Sequence, residues 1–217
     1  MDIDPWSLDI SLMPFTHQTA LITGGTSGIG AAAAEALRDR GAAVTILARS
    51  ASGDAALACD LEDIDALTIT IKKEIDANSA FEILVNNSAG PPAGPLLEAA
   101  PADFEKAMRR HLHASHTLVQ LLLPGMRKAG YGRIINIIST SVREPIPGLG
   151  VSNTVRGAMA AWAKTLAREL PPGITINSVL PGFTATQRLE ELKQTLATQR
   201  GVSPAEVEAA WLATVPE

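Results

Sequence analysis

Short apolar runs alternate with longer stretches in which apolar residues recur every three or four positions. Ala20-Leu21-Ile22, Val44-Thr45-Ile46-Leu47, Ala56-Leu57-Ala58-Cys59, Ile83-Leu84-Val85, Ile134 to Ile138 and Ile174 to Val179 are the short runs, several of them β-branched. Between them, residues 29–39, 64–77, 104–126 and 152–170 carry helical spacing. Strands that are apolar throughout are covered on both faces, and helices between them supply the cover. The pattern predicts a doubly wound α/β fold with a parallel sheet. No internal repeat, low-complexity tract or linker divides it, so residues 19–217 read as one domain.

The two ends depart from this rhythm. In residues 1–18, Trp6, Leu8, Ile10, Leu12 and Phe15 are scattered among polar residues and Pro5 and Pro14, which fits a flexible arm, a packed flap or a foreign remnant. After Val179 the chain is helical. Gln187–Gln199 forms one helix closed by Gly201, and Ser203-Pro204-Ala205-Glu206 opens another with a capping box. Together residues 187–213 make a helical lid for a substrate.

Composition narrows the functions open to such a fold. Eighteen basic and 23 acidic residues leave a net charge of −5, which argues against nucleic acid or an anionic membrane as partner. One cysteine, Cys59, excludes an internal disulfide or a cysteine-based metal cluster and suits a cytoplasmic setting. Asp2 and Asp4 stand where a signal peptide would be basic, and no apolar run is long enough to span a membrane. There is a single tyrosine, Tyr131. Any chemistry that needs a phenol must use it.

Thr23-Gly24-Gly25-Thr26-Ser27-Gly28-Ile29-Gly30 joins the first strand to the first helix. Glycines there admit positive φ and let backbone N–H groups approach a phosphate, at which the helix N-terminus also points. A glycine-rich turn in the first βα unit is the context for dinucleotide binding.

With its Gly-x-x-x-Gly-x-Gly spacing, this turn resembles that of the short-chain dehydrogenase/reductase family, and its 3-oxoacyl-acyl-carrier-protein reductase-like branch in particular. Further segments from residue 19 onward are similar to the family's. Asn86-Asn87-Ser88-Ala89-Gly90 resembles its Asn-Asn-Ala-Gly, Asp60-Leu61 its adenine-contacting pair, and Asn136-Ile137-Ile138-Ser139 the segment with its catalytic serine. Pro181-Gly182-Phe183-Thr184-Ala185-Thr186 resembles the loop that holds the nicotinamide carboxamide. The resemblance implies six parallel strands in the order 3-2-1-4-5-6. It implies cofactor contacts from Gly24, Thr26, Ser27, Gly28, Ile29, Gly30, Asp60, Leu61, Asn87, Ser88, Ala89, Arg156, Pro181, Gly182, Thr184 and Thr186. It also implies a homodimer or homotetramer paired through the 104–126 and 152–170 helices. Family members continue with another strand and helix, which leaves the sixth strand here as an edge.

Arg49, at the end of the second strand, occupies the position where the family accommodates a 2′-phosphate, so NADP(H) is expected over NAD(H). Residues 50–55 are too short for a full helix before the third strand.

The catalytic positions differ from the family. Its chemistry uses Tyr as proton donor, Lys four residues later to lower the Tyr pKa, Ser to polarise the carbonyl and Asn to support a water relay. Ser139 matches the serine. The tyrosine position falls on Ser152, the lysine position on Arg156 and the asparagine position on His111. Tyr131 lies at the far end of its strand, about 26 Å from the site at 3.3 Å per residue, and cannot substitute. Ser152 is a poor general acid, and Arg156 stays charged and offers a planar fork of donors. His111 has a usable unperturbed pKa near 6.5 and is the candidate for a water relay, with helix packing as the alternative role. His113 and His116 share a helix face but lack a carboxylate, so no metal site is expected. The segment from Arg143-Glu144-Pro145 through Ser152-Asn153-x-x-Arg156 resembles a reductase-like subgroup of the family, which makes the changes a pattern.

The expected function is an NADP(H)-dependent oxidoreductase acting on a small carbonyl or alcohol. The alternatives are a non-catalytic nucleotide-binding protein or partner subunit, and a degraded copy.

Overall fold

The computed structural model describes residues 14–78 and 80–213. Its elements run β1 (Thr19–Thr23), α1 (Gly28–Asp39), β2 (Ala43–Ala48), β3 (Ala56–Ala58), α2 (Ile64–Asn78) and β4 (Ile83–Asn86). The chain continues with α3 (Pro101–Met108), α4 (Ala114–Ala129), β5 (Gly132–Ile137), α5 (Gly150–Leu166), β6 (Ile174–Val179), α6 (Gln187–Arg200) and α7 (Pro204–Leu212). The six strands form one parallel sheet in the order β3-β2-β1-β4-β5-β6, as the resemblance implied. Parallel register puts every strand's C-terminal end on one edge, and the switch of direction between β1 and β4 opens a crevice there.

Alternation along the strands divides the core. Leu21, Leu84 and Ile134 face the layer of α2, α4 and α5, where Leu67, Ile71, Leu118, Leu122 and Met126 are buried. Ala20, Ile22, Ile83 and Val85 face the opposite side with Ala34 of α1. Each fully buried Leu or Ile stabilises the fold by about 1.5–3 kcal/mol, and a one-residue slip would exchange the sets packed on the two faces and spoil both cores.

Several boundaries differ from the expected ones. The helix read as 104–126 starts at Pro101 and is interrupted by a π-helical turn, Arg109–His113. The helix read as 152–170 is Gly150–Leu166. Among the described residues no helix joins β2 to β3. At the sheet edge, β6 alternates buried Ile174 and Ile176 with exposed Thr175, Asn177 and Val179. Trp6, Leu8, Ile10 and Leu12 of the N-terminal stretch lie outside the described residues, whereas Phe15 packs on the α1-side core and its N–H donates to Arg40 O at 2.7 Å.

The lid has its own small core of Leu196, Ala197, Val207 and Trp211. The capping box is formed: Ser203 Oγ accepts from Glu206 N–H, and the Glu206 carboxylate accepts from Ser203 N–H at 2.8 Å. Phe183 stacks on Trp211 at 4.8 Å, which ties the β6–α6 loop to α7. Among the described residues no helix is long and apolar enough to cross a membrane.

Candidate functional site

A cleft of about 580 Å³ runs along the C-terminal ends of the strands, between the sheet and α6. Its left wall is the glycine turn. Gly24 and Gly28 sit at φ +59 and +54, the left-handed region that other residues resist. A Cβ on Gly24 would lie 2.8 Å from Asn87 O, and one on Gly30 would lie 2.2 Å from Gly24 O. Gly30 is not among the residues lining the cleft; it lets α1 start directly against the turn. Ser27 is the N-cap of α1, with its hydroxyl making no capping bond and no acidic residue in the first turn. The free N–H groups of that turn and the helix dipole make this end a site for an anion.

The turn is locked to the end of β4. Asn87 N–H donates to Thr23 Oγ1 at 2.9 Å, Thr23 Oγ1 donates to Asn87 O at 2.7 Å, and Asn87 Nδ2 donates to Gly24 O at 3.0 Å. Arg49 and Ser50, at the end of β2, and Asp60 and Leu61, after β3, line the same end of the cleft. With Gly24, Thr26, Ser27, Gly28, Ile29, Asn87, Ser88 and Ala89 they form one continuous surface. The shape, the positive-φ cradle and the uncapped helix N-terminus fit a dinucleotide.

On the other wall, Ser139 follows β5 while Ser152 and Arg156 stand one turn apart on α5, and all three line the cleft. Ser139 Oγ accepts from Ser141 N–H at 3.1 Å, which fixes the hydroxyl at the start of a short 3₁₀ turn. Arg156 is only 9% exposed, and its guanidinium donates through Nη1 to Ile137 O at 2.8 Å. Burial pushes its pKa down to about 10, so it remains charged at neutral pH. Pro181, Gly182, Thr184 and Thr186 line the roof, where Thr186 Oγ1 caps α6 by accepting from Leu189 N–H at 3.3 Å.

His111 takes the helix-packed place that was its alternative role. It lies in the π turn, 3% exposed, and faces a second cavity of about 10 Å³ behind the cleft wall, room for about one water. Its Nδ1 is 2.7 Å from Ser88 Oγ, and its Nε2 is buried with no protein partner. Burial first, then the charges of Arg156 and Arg110, holds its pKa well below the ordinary value. That shift favours the neutral imidazole, whose side-chain contact toward the cleft is with Ser88, a residue that lines both cavities, as Arg110 and Arg156 do. A π turn adds one residue to the helix and rotates every later residue about its axis, which is why helical spacing alone could not orient His111. Among the described residues no three His, Cys, Asp or Glu side chains converge as a metal site.

Tyr131 stands immediately before β5, at the opposite edge of the sheet, with Arg133 over its ring at 4.1 Å. It does not line the cleft. Two lining arginines escaped the sequence reading. Arg110, also in the π turn, is paired with Glu62, and Arg188 of α6 donates to Pro91 O at 3.0 Å, bridging the lid to the loop after β4. Arg188 follows the α6 cap by two residues, which places it at the cleft mouth; Arg110 had no signal apart from its charge.

A doubly wound sheet with a glycine turn at its switch point and a serine after its fifth strand defines a dinucleotide-dependent oxidoreductase. Residues 18–197 match the short-chain dehydrogenase family, and the chain belongs to that family. It is 31% identical over 201 residues to the short-chain reductase protein NovJ of Streptomyces niveus, covering 85% of this chain and 76% of that one. It is likewise 31% identical over 194 residues to a 3-oxoacyl-acyl-carrier-protein reductase of Vibrio harveyi, covering 83% and 79%. Among solved structures, L-sorbose reductase from Gluconobacter frateurii, complexed with NADPH and L-sorbose, superposes with a TM-score of 0.80. That match has 25% identity and covers 89% of this chain and 80% of the reductase.

Proposed function

We propose that the protein is an NADP(H)-dependent oxidoreductase interconverting a small carbonyl and its alcohol, with a proton path rebuilt around the missing tyrosine. The observation that carries this reading is the joint lining of one cleft by the glycine turn on one wall and Ser139, Ser152 and Arg156 on the other.

When bound, the nicotinamide supplies or accepts the hydride. The turn, with Ser27 and the start of α1, holds the pyrophosphate by N–H groups and dipole. Arg49 holds a 2′-phosphate, which NAD lacks. Ser139 donates to the carbonyl oxygen and stabilises the charge that grows there. Arg156, one turn from Ser152, sets a positive potential on that oxygen and offers N–H groups to ribose hydroxyls or substrate. The proton reaches the oxygen through water at Ser152 or through the Ser88 hydroxyl, which His111 orients from behind. Without a tuned phenol this transfer is the weak step, since general acid catalysis is worth about 10²- to 10⁴-fold. The 3-oxoacyl reductase-like relatives suggest ketones and acyl thioesters as first substrates. Pairing into a homodimer or homotetramer is proposed through α4 and α5, where Trp162 Nε1 donates to His116 Nδ1 at 3.3 Å on the outer surface.

The test is NADPH oxidation at high protein concentration against ketones and acyl thioesters, with NADH in parallel. Turnover that disappears in Ser139→Ala supports the proposal; no turnover with any substrate overturns it. A second reading, binding without catalysis, is favoured by one observation: among the described residues no phenol and no imidazole opens directly on the cleft. It predicts NADPH binding with no oxidation, unchanged by Ser139→Ala.

A further inference from the structure

Four arginines line the cleft: Arg49, Arg110, Arg156 and Arg188. Arg110 is paired with Glu62, Arg188 stands 3.8 Å from the Glu191 carboxylate, and Arg49 is exposed to solvent at the end of β2. Arg156 differs from all three. It is buried, and among the described residues no carboxylate comes within ion-pair distance of it. Its only protein partner there is the carbonyl oxygen of Ile137, bonded to Nη1. A guanidinium carries five N–H donors, so most of the fork is left for the space Arg156 lines: the cleft beside Ser139 and Ser152 and, behind it, the cavity of about 10 Å³ shared with His111, which holds no more than about one water.

A buried cation without an anion is costly, and a carbonyl oxygen does not neutralise it. The dinucleotide does not supply the missing charge. Its phosphates belong to the glycine turn and Arg49, on the β1 and β2 side. Arg156 is bonded to β5, two strands from β1 in the sheet order, or about 10 Å at normal strand spacing. Ribose hydroxyls could share the fork but bring no charge.

We infer that the substrate of this cleft carries a carboxylate, held by the free face of the Arg156 guanidinium beside Ser139 and Ser152. The match is geometric as well as electrostatic. A planar fork takes a carboxylate through two parallel N–H···O bonds, which a lysine at this position could not do. One guanidinium balances one negative charge, and among the described residues of this wall no second unpaired cation awaits a phosphate dianion. Ile137, Ile146 and Leu149 line the adjoining surface and give an apolar seat for the rest of a small molecule. The inference rests on the proposed oxidoreductase reading only for placing the substrate on this wall. The anion site itself stands on the unpaired arginine. A 2-oxo or 2-hydroxy acid brings both the reacting oxygen and the carboxylate to this wall at once.

The test is calorimetric titration of the full chain with 2-oxopentanoate, its primary amide and inorganic phosphate, each with NADP⁺ present and without it. No ketone turns over under either condition. The acid is expected to bind at least about tenfold tighter than the amide, the range of a charge-assisted pair. That preference should vanish in Arg156→Gln and persist in part in Arg156→Lys. Equal binding of acid and amide, binding of neither, tighter binding of phosphate, or a preference that survives in Arg156→Gln would each overturn the inference. The wild-type comparison decides the matter even if a variant fails to fold. Preference for the acid without hydride transfer to any ketone supports the inference while sinking the oxidoreductase proposal. Turnover of neutral ketones with no acid preference does the reverse.

Discussion

The cleft has two walls of different character. On the β1–β2–β4 wall, main-chain geometry shapes the surface. Gly24 and Gly28 at positive φ, Gly30 against Gly24 O and the Thr23–Asn87 lock form a surface that few side chains could replace. On the β5–α5 wall side chains face the cleft: Ser152 stands at the position expected for a phenol and Arg156 at that expected for an ammonium, while His111, at the position expected for an amide, is buried behind the wall. A surface made by main chain leaves little room for substitution, whereas side chains facing a cleft can be exchanged without disturbing the fold. The first wall therefore marks the family, and the particular chemistry must be read from the second.

The largest predicted effect probes the backbone wall. Gly30→Val drives a side chain into Gly24 O, where even a Cβ would be 2.2 Å away. Displacing the turn should destabilise the protein by about 1–3 kcal/mol, as overpacking does, and abolish NADPH binding. Calorimetry that found undiminished NADPH affinity would break the claim that this wall is made by main chain.

Ser139→Ala should isolate the side-chain wall. Losing one donor to a developing oxyanion costs about 10²- to 10³-fold in kcat, with NADPH affinity unchanged. A parallel loss of NADPH affinity would show that the walls are not separable. Smaller again is Arg49→Gln, which removes a charge-assisted contact worth about 1.5–3 kcal/mol, hence at least about tenfold in NADPH affinity, and leaves NADH untouched. Equal losses for both cofactors would assign Arg49 to general electrostatics.

The smallest effect concerns His111. Its folded-state pKa lies below the unfolded value, so the unfolded chain takes up the proton first. The stability this contributes is present above about pH 6.5 and lost as pH falls below it, with a slope of at most about 1.4 kcal/mol per pH unit. Urea midpoints at pH 7.5, 6.5 and 5.5 should drop more steeply in the wild type than in His111→Gln. Parallel curves would mean that His111 is not held neutral.

These walls were unequally legible in the sequence. Apolar runs located all six strands because strands buried on both faces leave a continuous signal, and the glycine turn announced itself through residues with no other use for that spacing. The missing tyrosine was visible too, because Tyr131 could be placed at the wrong end of β5 by counting. What could not be read was the interior of the long helix. The run Arg109-Arg110-His111-Leu112-His113 is compatible with a regular helix, and nothing in its spacing marks the π turn in which His111 is buried and Arg110 lines the cleft. The lack of a carboxylate near Arg156 was equally invisible, since it is a property of every element around α5 at once.

The central claim is that the dinucleotide wall is complete although the catalytic wall has been rebuilt. Calorimetric titration of the full chain with NADPH and with NADH tests it most directly. The account predicts saturable binding of one NADPH per chain, at least about tenfold tighter than NADH, the difference set by the charge-assisted contact of Arg49. No NADPH binding, or equal affinity for both cofactors, would contradict it.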